Sequence, residues 1–239
     1  MESDQSPPAA GSNRIAPFIS LEGNEGCGKS TQISRVAGAL RAQGRDVLEV
    51  REPGGTEFGE RVRDIFKNPP PGTELTGWAE VFLLSAARHQ LVHDKILPAL
   101  RQGTVVLADR FVDSTFVYQG SLRKLNLEAL ESVCRIATDK LVPDHTFYLS
   151  APVDILNSRI AARPAKSSDP EDCEDRFDQS NIETKKQIES AFQSRANQYP
   201  DRFTVIDATQ TPEIICNTIT DYIVRNLLVG KYSAQAAVQ

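Results

Sequence analysis

The chain is poor in the residues that staple small folds or assemble metal clusters: of 239 residues, four are cysteine, three histidine, one methionine and one tryptophan. Cys27, Cys134, Cys173 and Cys216 stand too far apart for a CxxC pair or a zinc ribbon, and reduced thiols are expected. His89 and His93 are one helical turn apart, but Gln90 stands where a zinc protease needs glutamate, so both read as surface or packing residues. No run approaches the roughly 18 apolar residues of a membrane span. The amino terminus, MESDQSPPAAGSNR, has no hydrophobic stretch of the kind that directs export. A cytoplasmic protein without a membrane partner is expected. An excess of positive charge is missing as well: 27 Lys and Arg against 32 Asp and Glu leave a net charge of −5 and no basic field for a nucleic-acid polymer. Any anion has to be captured locally.

What the chain does have is globular material, 40% hydrophobic and 25% charged, in a length that can bury its own core. Residues 1–14 contain no Ile, Leu, Val or Phe and are expected to be a disordered tail. The small, polar stretch 230–239 reads as a second tail, leaving 15–229 as one domain. Within it, short apolar runs alternate with helical stretches long enough for crossovers: Phe18 to Leu21, Val47 to Val50, Thr104 to Ala108, Thr146 to Leu149 and Phe203 to Ile206. That alternation predicts an α/β fold, a five-stranded parallel sheet with helices on both faces. A long helix from about Gly77 to Leu100 carries Arg88 on the same face as Leu84 and Leu91, where a guanidinium needs a partner. The stripe Ile188, Phe192, Ala196 and Tyr199 reads as core, and a last helix starts with Thr211 as cap and Pro212 in its first turn.

Directly after the first apolar run comes Gly23-Asn24-Glu25-Gly26-Cys27-Gly28-Lys29-Ser30, a full match to G-x-x-x-x-G-K-[ST], and a helical pattern begins at Thr31. Glycines let successive backbone N–H groups turn toward phosphate oxygens, and the helix amino terminus favours the anion. Lys29 would supply charge to the β and γ phosphates of ATP, and Ser30 a ligand for Mg2+. Cys27 sits inside the cradle, where two readings stand open: a pKa lowered by the helix amino terminus, or a residue that merely fills a small position. The third apolar run ends in Asp109-Arg110, and a carboxylate there is the expected second half of a magnesium site.

A GTP switch would carry N-K-x-D, which is absent; arginines recur instead at expected element ends, as Arg51, Arg88, Arg110 and Arg163. Several arginines around one cleft imply anions to fill it, and two phosphorylated substrates would do so. The residues alone therefore point to a nucleotide kinase. They leave open which nucleoside monophosphate or deoxynucleoside accepts the phosphate, and whether the chain is a silent nucleotide binder.

Arg51-Glu52-Pro53-Gly54-Gly55-Thr56, Ser85-Ala86-Ala87-Arg88, Asp109-Arg110-Phe111 with Ser114 and Tyr118-Gln119-Gly120, and Asp175-Arg176-Phe177, in that order and behind the cradle, resemble thymidylate kinase of the bacterial type. The resemblance implies the P-loop nucleoside monophosphate kinase fold, ATP and dTMP as substrates, Mg2+ and a homodimer. It also implies roles: Glu25 toward the 3′-hydroxyl, Arg51 and Arg110 on the acceptor phosphate, Arg88 on a base carbonyl, and Gln119 with Thr115 on the thymine edge. The cradle carries no arginine, which in this family goes with a catalytic arginine in a lid, here about 163–178, with Arg163 first and Arg159 second. Two departures stand out. Leu84 occupies the position of the usual stacking aromatic, so either Phe82, Phe111 or another ring substitutes or pyrimidine recognition is weaker. Ser121-Leu122-Arg123-Lys124 replaces the glycine-rich segment that often follows Tyr-Gln-Gly.

Overall fold

A computed structural model of the chain describes residues 14–162 and 181–232. The expected lid, with Arg163, lies outside the described residues, as do 1–13 and 233–239. Five strands, β1 (Phe18–Glu22), β2 (Val47–Arg51), β3 (Val105–Asp109), β4 (His145–Ser150) and β5 (Phe203–Asp207), form one sheet in the order β2-β3-β1-β4-β5. All four neighbouring pairs are parallel, as the run-and-crossover pattern requires.

Alternation along β1 sends its residues to both faces. Ile19 and Leu21 join a core with α1 (Lys29–Ala42) and α9 (Pro212–Tyr222), through Ile33, Val36, Leu40, Ile215 and Ile219. Phe18 joins the opposite core with α3 (Gly77–Leu91) and α4 (Leu97–Arg101), where Leu91, Leu97, Leu100 and Phe111 are all at most 2% exposed. The long helix expected from Gly77 is continuous to Arg101, with one π-helical turn at Val92–Ile96 just before Pro98. Proline has no N–H for the ladder, so the wider turn sits where one bond is missing. A third cluster lies under α8 (Ile182–Gln198), where Ile188 and Phe192 meet Tyr118 and Tyr148. Tyr199, expected in that stripe, is instead 38% exposed with its ring against Arg195 and Arg202.

Every strand runs one residue beyond its apolar run, and the added residues are Glu22, Arg51, Asp109, Ser150 and Asp207. All are polar because the carboxyl ends of a parallel sheet open onto a crevice rather than onto a covering helix. The remaining α-helices are α2 (Glu57–Lys67), α5 (Val112–Thr115), α6 (Leu127–Ala137) and α7 (Val153–Ala161), and π-helical turns continue α5 over Phe116–Leu122 and α9 over Ile223–Lys231. Near the two limits of the described residues, Arg14 donates to Asp144, and so does the hydroxyl of Tyr232, which is 7% exposed.

Candidate active site

The cradle forms as its glycines demand. Gly28 caps α1 in the left-handed region at φ 96° and has no atom within 4 Å of where a Cβ would stand, so the space beside it is open. Gly26, at φ 83°, faces the Leu156 carbonyl, which a Cβ would meet at 2.8 Å. Inside the loop, Lys29 Nζ donates to the carbonyls of Gly23 and Asn24 at 3.1 and 3.0 Å. Asn24 takes the Glu25 N–H on its Oδ1 and donates from Nδ2 to the Lys185 carbonyl in α8. Lys185 in turn reaches Asn157 of α7 at 2.7 Å, so both helices that flank residues 163–180 are tied to the cradle. Thr31 is exposed on the first turn of α1. Cys27 is buried beside Lys29, and burial pushes its thiol up rather than down, which corrects the reading of a pKa lowered by the helix amino terminus.

Leu21 of β1 pairs with Asp109 of β3, which brings the two crevice-facing strand ends together. Ser30 Oγ donates to Asp109 Oδ2 at 2.7 Å. Beside them Arg110 is held at φ 72°, its N–H on the Leu21 carbonyl and Nη1 on Ser114 Oγ at 3.0 Å. Glu22 secures this turn: one oxygen accepts from Phe111 N–H at 2.7 Å, the other from the Ser114 hydroxyl at 2.6 Å. Burial, with the charge of Asp113 behind it, pushes the Glu22 carboxyl up to about 7. Burial also opposes the Arg110 charge, but Tyr118, Glu22, Asp109 and Glu25 more than offset it.

Next to this corner a cleft of about 490 Å³ opens, and most residues expected to bind an acceptor line it. Arg110, Ser114 and Tyr118 line it together with Leu84, Arg88, Thr115, Gln119, Phe66 and Phe111. Arg88 is 3% exposed, and its partner is Glu52: Nε and Nη2 converge on one carboxylate oxygen at 2.7 and 2.6 Å, and Nη2 also reaches Thr115 Oγ1. Burial lifts the Glu52 carboxyl above its ordinary value, the Arg88 charge offsetting part of that. Among the described residues, two buried polar atoms at this wall have no partner, Arg88 Nη1 and Glu52 Oε1. An orphaned guanidinium N–H in a cleft asks for an acceptor atom.

Arg51 ends β2 and donates to Glu60 of α2 at 2.9 Å. Arg159 is half-buried near the end of α7. Phe82, offered for the missing stacking ring, is 60% exposed and lies on Trp78, away from the cleft. The rings at the cleft are Phe111, Tyr118 and Phe66, the last 4% exposed on α2 and unremarked in the sequence because nothing local distinguishes it from core. Also missed were Glu22, Asp113 and Glu80. Each is a carboxylate at 0% exposure whose partners are distant in sequence.

The thymidylate kinase family model matches residues 21–219. The thymidylate kinase of Thermomicrobium roseum is 38% identical over 90% of this chain and 98% of its own length. That of Lactobacillus helveticus is 40% identical over 84% of this chain and 92% of its own. A third, from Pelotomaculum thermopropionicum, is 41% identical over 83% of this chain and 88% of its own.

Proposed function

The chain belongs to the thymidylate kinase family, and from that premise we propose how its own residues divide the work. The reaction is ATP-dependent phosphorylation of dTMP, giving dTDP and ADP for dTTP synthesis. The observation that carries the residue assignment is Arg88 itself, lining a cleft with Gln119 and Thr115 and keeping a buried Nη1 that no described residue satisfies. A thymine carbonyl would satisfy it, and Leu84, Phe66 and Phe111 would cover the ring faces in place of a single stacking aromatic.

At the other end of the cleft Arg110, with Arg51 nearby, holds the acceptor phosphate, and Glu25 faces the deoxyribose. The cradle from Gly23 to Thr31 binds the ATP phosphates. Lys29 leaves the Gly23 and Asn24 carbonyls for the β and γ phosphates when these arrive. Ser30 and Asp109 are hard oxygen donors 2.7 Å apart, the donor set that suits Mg2+ shared with phosphates, which needs no larger protein cluster. The ion supplies charge neutralisation for the transferring phosphoryl group. Arg163, with Arg159 second, is our assignment for the cation that meets the γ phosphate in the transition state.

We also infer a homodimer built on the α2, α3 and α6 side, where Phe58, Ile65, Phe82, Leu127 and Ile136 stand 44 to 75% exposed. Cytoplasmic residence fits the free Cys27, Cys134 and Cys216, and no helix among the described residues is long and apolar enough to cross a membrane. The test is ADP release with Mg–ATP against dTMP, dUMP, UMP, CMP, AMP and GMP. We expect dTMP to lead in kcat/KM by about tenfold or more, with Arg88→Ala losing about 1–3 kcal/mol of dTMP binding. A preference for another monophosphate, or an unchanged Arg88→Ala, would overturn the assignment.

A further inference from the structure

Gln119 lines the acceptor cleft, yet its amide is not free to choose a direction. Its Nε2 lies 2.8 Å from Glu80 Oε2, and an ionised carboxylate only accepts, so the atom facing it has to be the nitrogen. The polar atom left for the cleft is the carbonyl oxygen. Glu80 sits in the first turn of α3 at 0% exposure, one layer behind the cleft wall. Its other oxygen accepts from Arg123 Nη2 at 2.7 Å. Both oxygens of this buried carboxylate therefore face a donor, Gln119 Nε2 on one and Arg123 Nη2 on the other. Arg123 belongs to Ser121-Leu122-Arg123-Lys124, the stretch that departs from a glycine-rich segment.

We propose that Glu80 and Arg123 are a positioning pair that fixes Gln119 as an acceptor toward the base, and so help determine which pyrimidine is phosphorylated. This rests on the reading of the cleft as the dTMP site. The wall then offers a donor, Arg88 Nη1, and an acceptor, Gln119 Oε1. A 2,4-dioxopyrimidine presents the complement, a carbonyl beside N3–H. Cytosine presents an amino group beside an unprotonated N3, so both positions would face a group of their own kind, a mismatch that costs far more than a lost methyl contact. Neither Glu80 nor Arg123 touches the substrate; both act through Gln119.

The experiment is kcat/KM for dTMP and dCMP at saturating Mg–ATP in the wild type, Glu80→Gln, Arg123→Leu and Arg123→Lys, with KM for ATP alongside. A glutamine at 80 can donate or accept, so the Gln119 amide is released to turn over; loss of the Arg123 donor removes the contact that holds the Glu80 carboxylate in place. The dTMP-to-dCMP ratio should shrink by about tenfold or more in Glu80→Gln and Arg123→Leu, chiefly through KM for dTMP. KM for ATP should hold, and Arg123→Lys should keep most of the ratio. Arg123 is 35% exposed, so its variants provide the test if Glu80→Gln fails to fold. A wild type that prefers dTMP, with folded variants that lose both substrates equally or neither, overturns the positioning pair alone. A wild type without that preference overturns the reading of the cleft, and the pair with it.

Discussion

Glu22 ends β1 as a buried carboxylate that holds the Arg110 turn through Phe111 N–H and Ser114 Oγ. Its pKa is raised from 4.5 to about 7, so folding takes up a proton between those values. The stability this group contributes is complete below about pH 4.5 and is lost as pH rises through 7, a decline of about 3 kcal/mol. Glu22→Gln should remove that decline, and urea unfolding at pH 5 and pH 8 reads it directly. His145 works in the opposite sense. Buried beneath Tyr222 and near Arg202, it is pushed down to about 4 from 6.5, so its contribution is full above 6.5 and is lost as pH falls toward 4. His145→Gln should flatten the acid side of the same curve; a slope identical to the wild type would contradict the assignment. Sequence made Arg88 conspicuous because a charge on an apolar helical stripe is anomalous. Glu22 was not conspicuous, since a glutamate after an apolar run looks like an ordinary loop residue.

Between elements, Asp113 of α5 ties together two distant segments. At 0% exposure it takes Arg195 of α8 on Oδ1 at 2.7 and 2.9 Å, and Arg202, just ahead of β5, on both oxygens at 2.7 and 2.9 Å. The two arginines lower its pKa despite burial. Asp113→Ala leaves two largely buried guanidinium groups without their shared anion, and should cost about 3–5 kcal/mol in urea unfolding. A loss below about 1 kcal/mol would mean that water or Tyr199 replaces the carboxylate. None of this was legible beforehand, because the partners lie 82 and 89 residues apart. The strands and the cradle were legible, being local patterns of apolar period and glycine placement. Their last residues were not: hydrophobicity stops where the crevice begins, while the backbone ladder continues through Glu22, Arg51 and Asp109.

For the molecule as a whole, one side resembles the inside of a protein more than its surface. Phe82 stacks on Trp78, and Phe58, Ile65 and Ile136 stand exposed on the neighbouring helices α2 and α6. As the centre of a two-fold interface, Phe82 would meet its own copy or that of a neighbouring ring. Phe82→Glu should then shift sedimentation from dimer to monomer, with kcat/KM for dTMP reduced no more than about tenfold because Phe82 lies outside the cleft. A dimer that survives the charge would put the interface elsewhere. Overall architecture was readable from the order of runs and crossovers, whereas the shape of the acceptor cleft depends on Phe66, Phe111 and Leu84 converging from three separate segments.

Asp144 receives Arg14 from one end of the body and Tyr232 from the other, and also holds the N–H of Phe18 at the start of β1. Residues 14 and 232, the first and last described, thus share a single anchor. A body in which two such distant points meet behaves topologically as a closed ring with one cut. A short linker could seal that cut and a new one be opened in an exposed turn, or the whole body could be grafted into a loop of a host protein without stretching either.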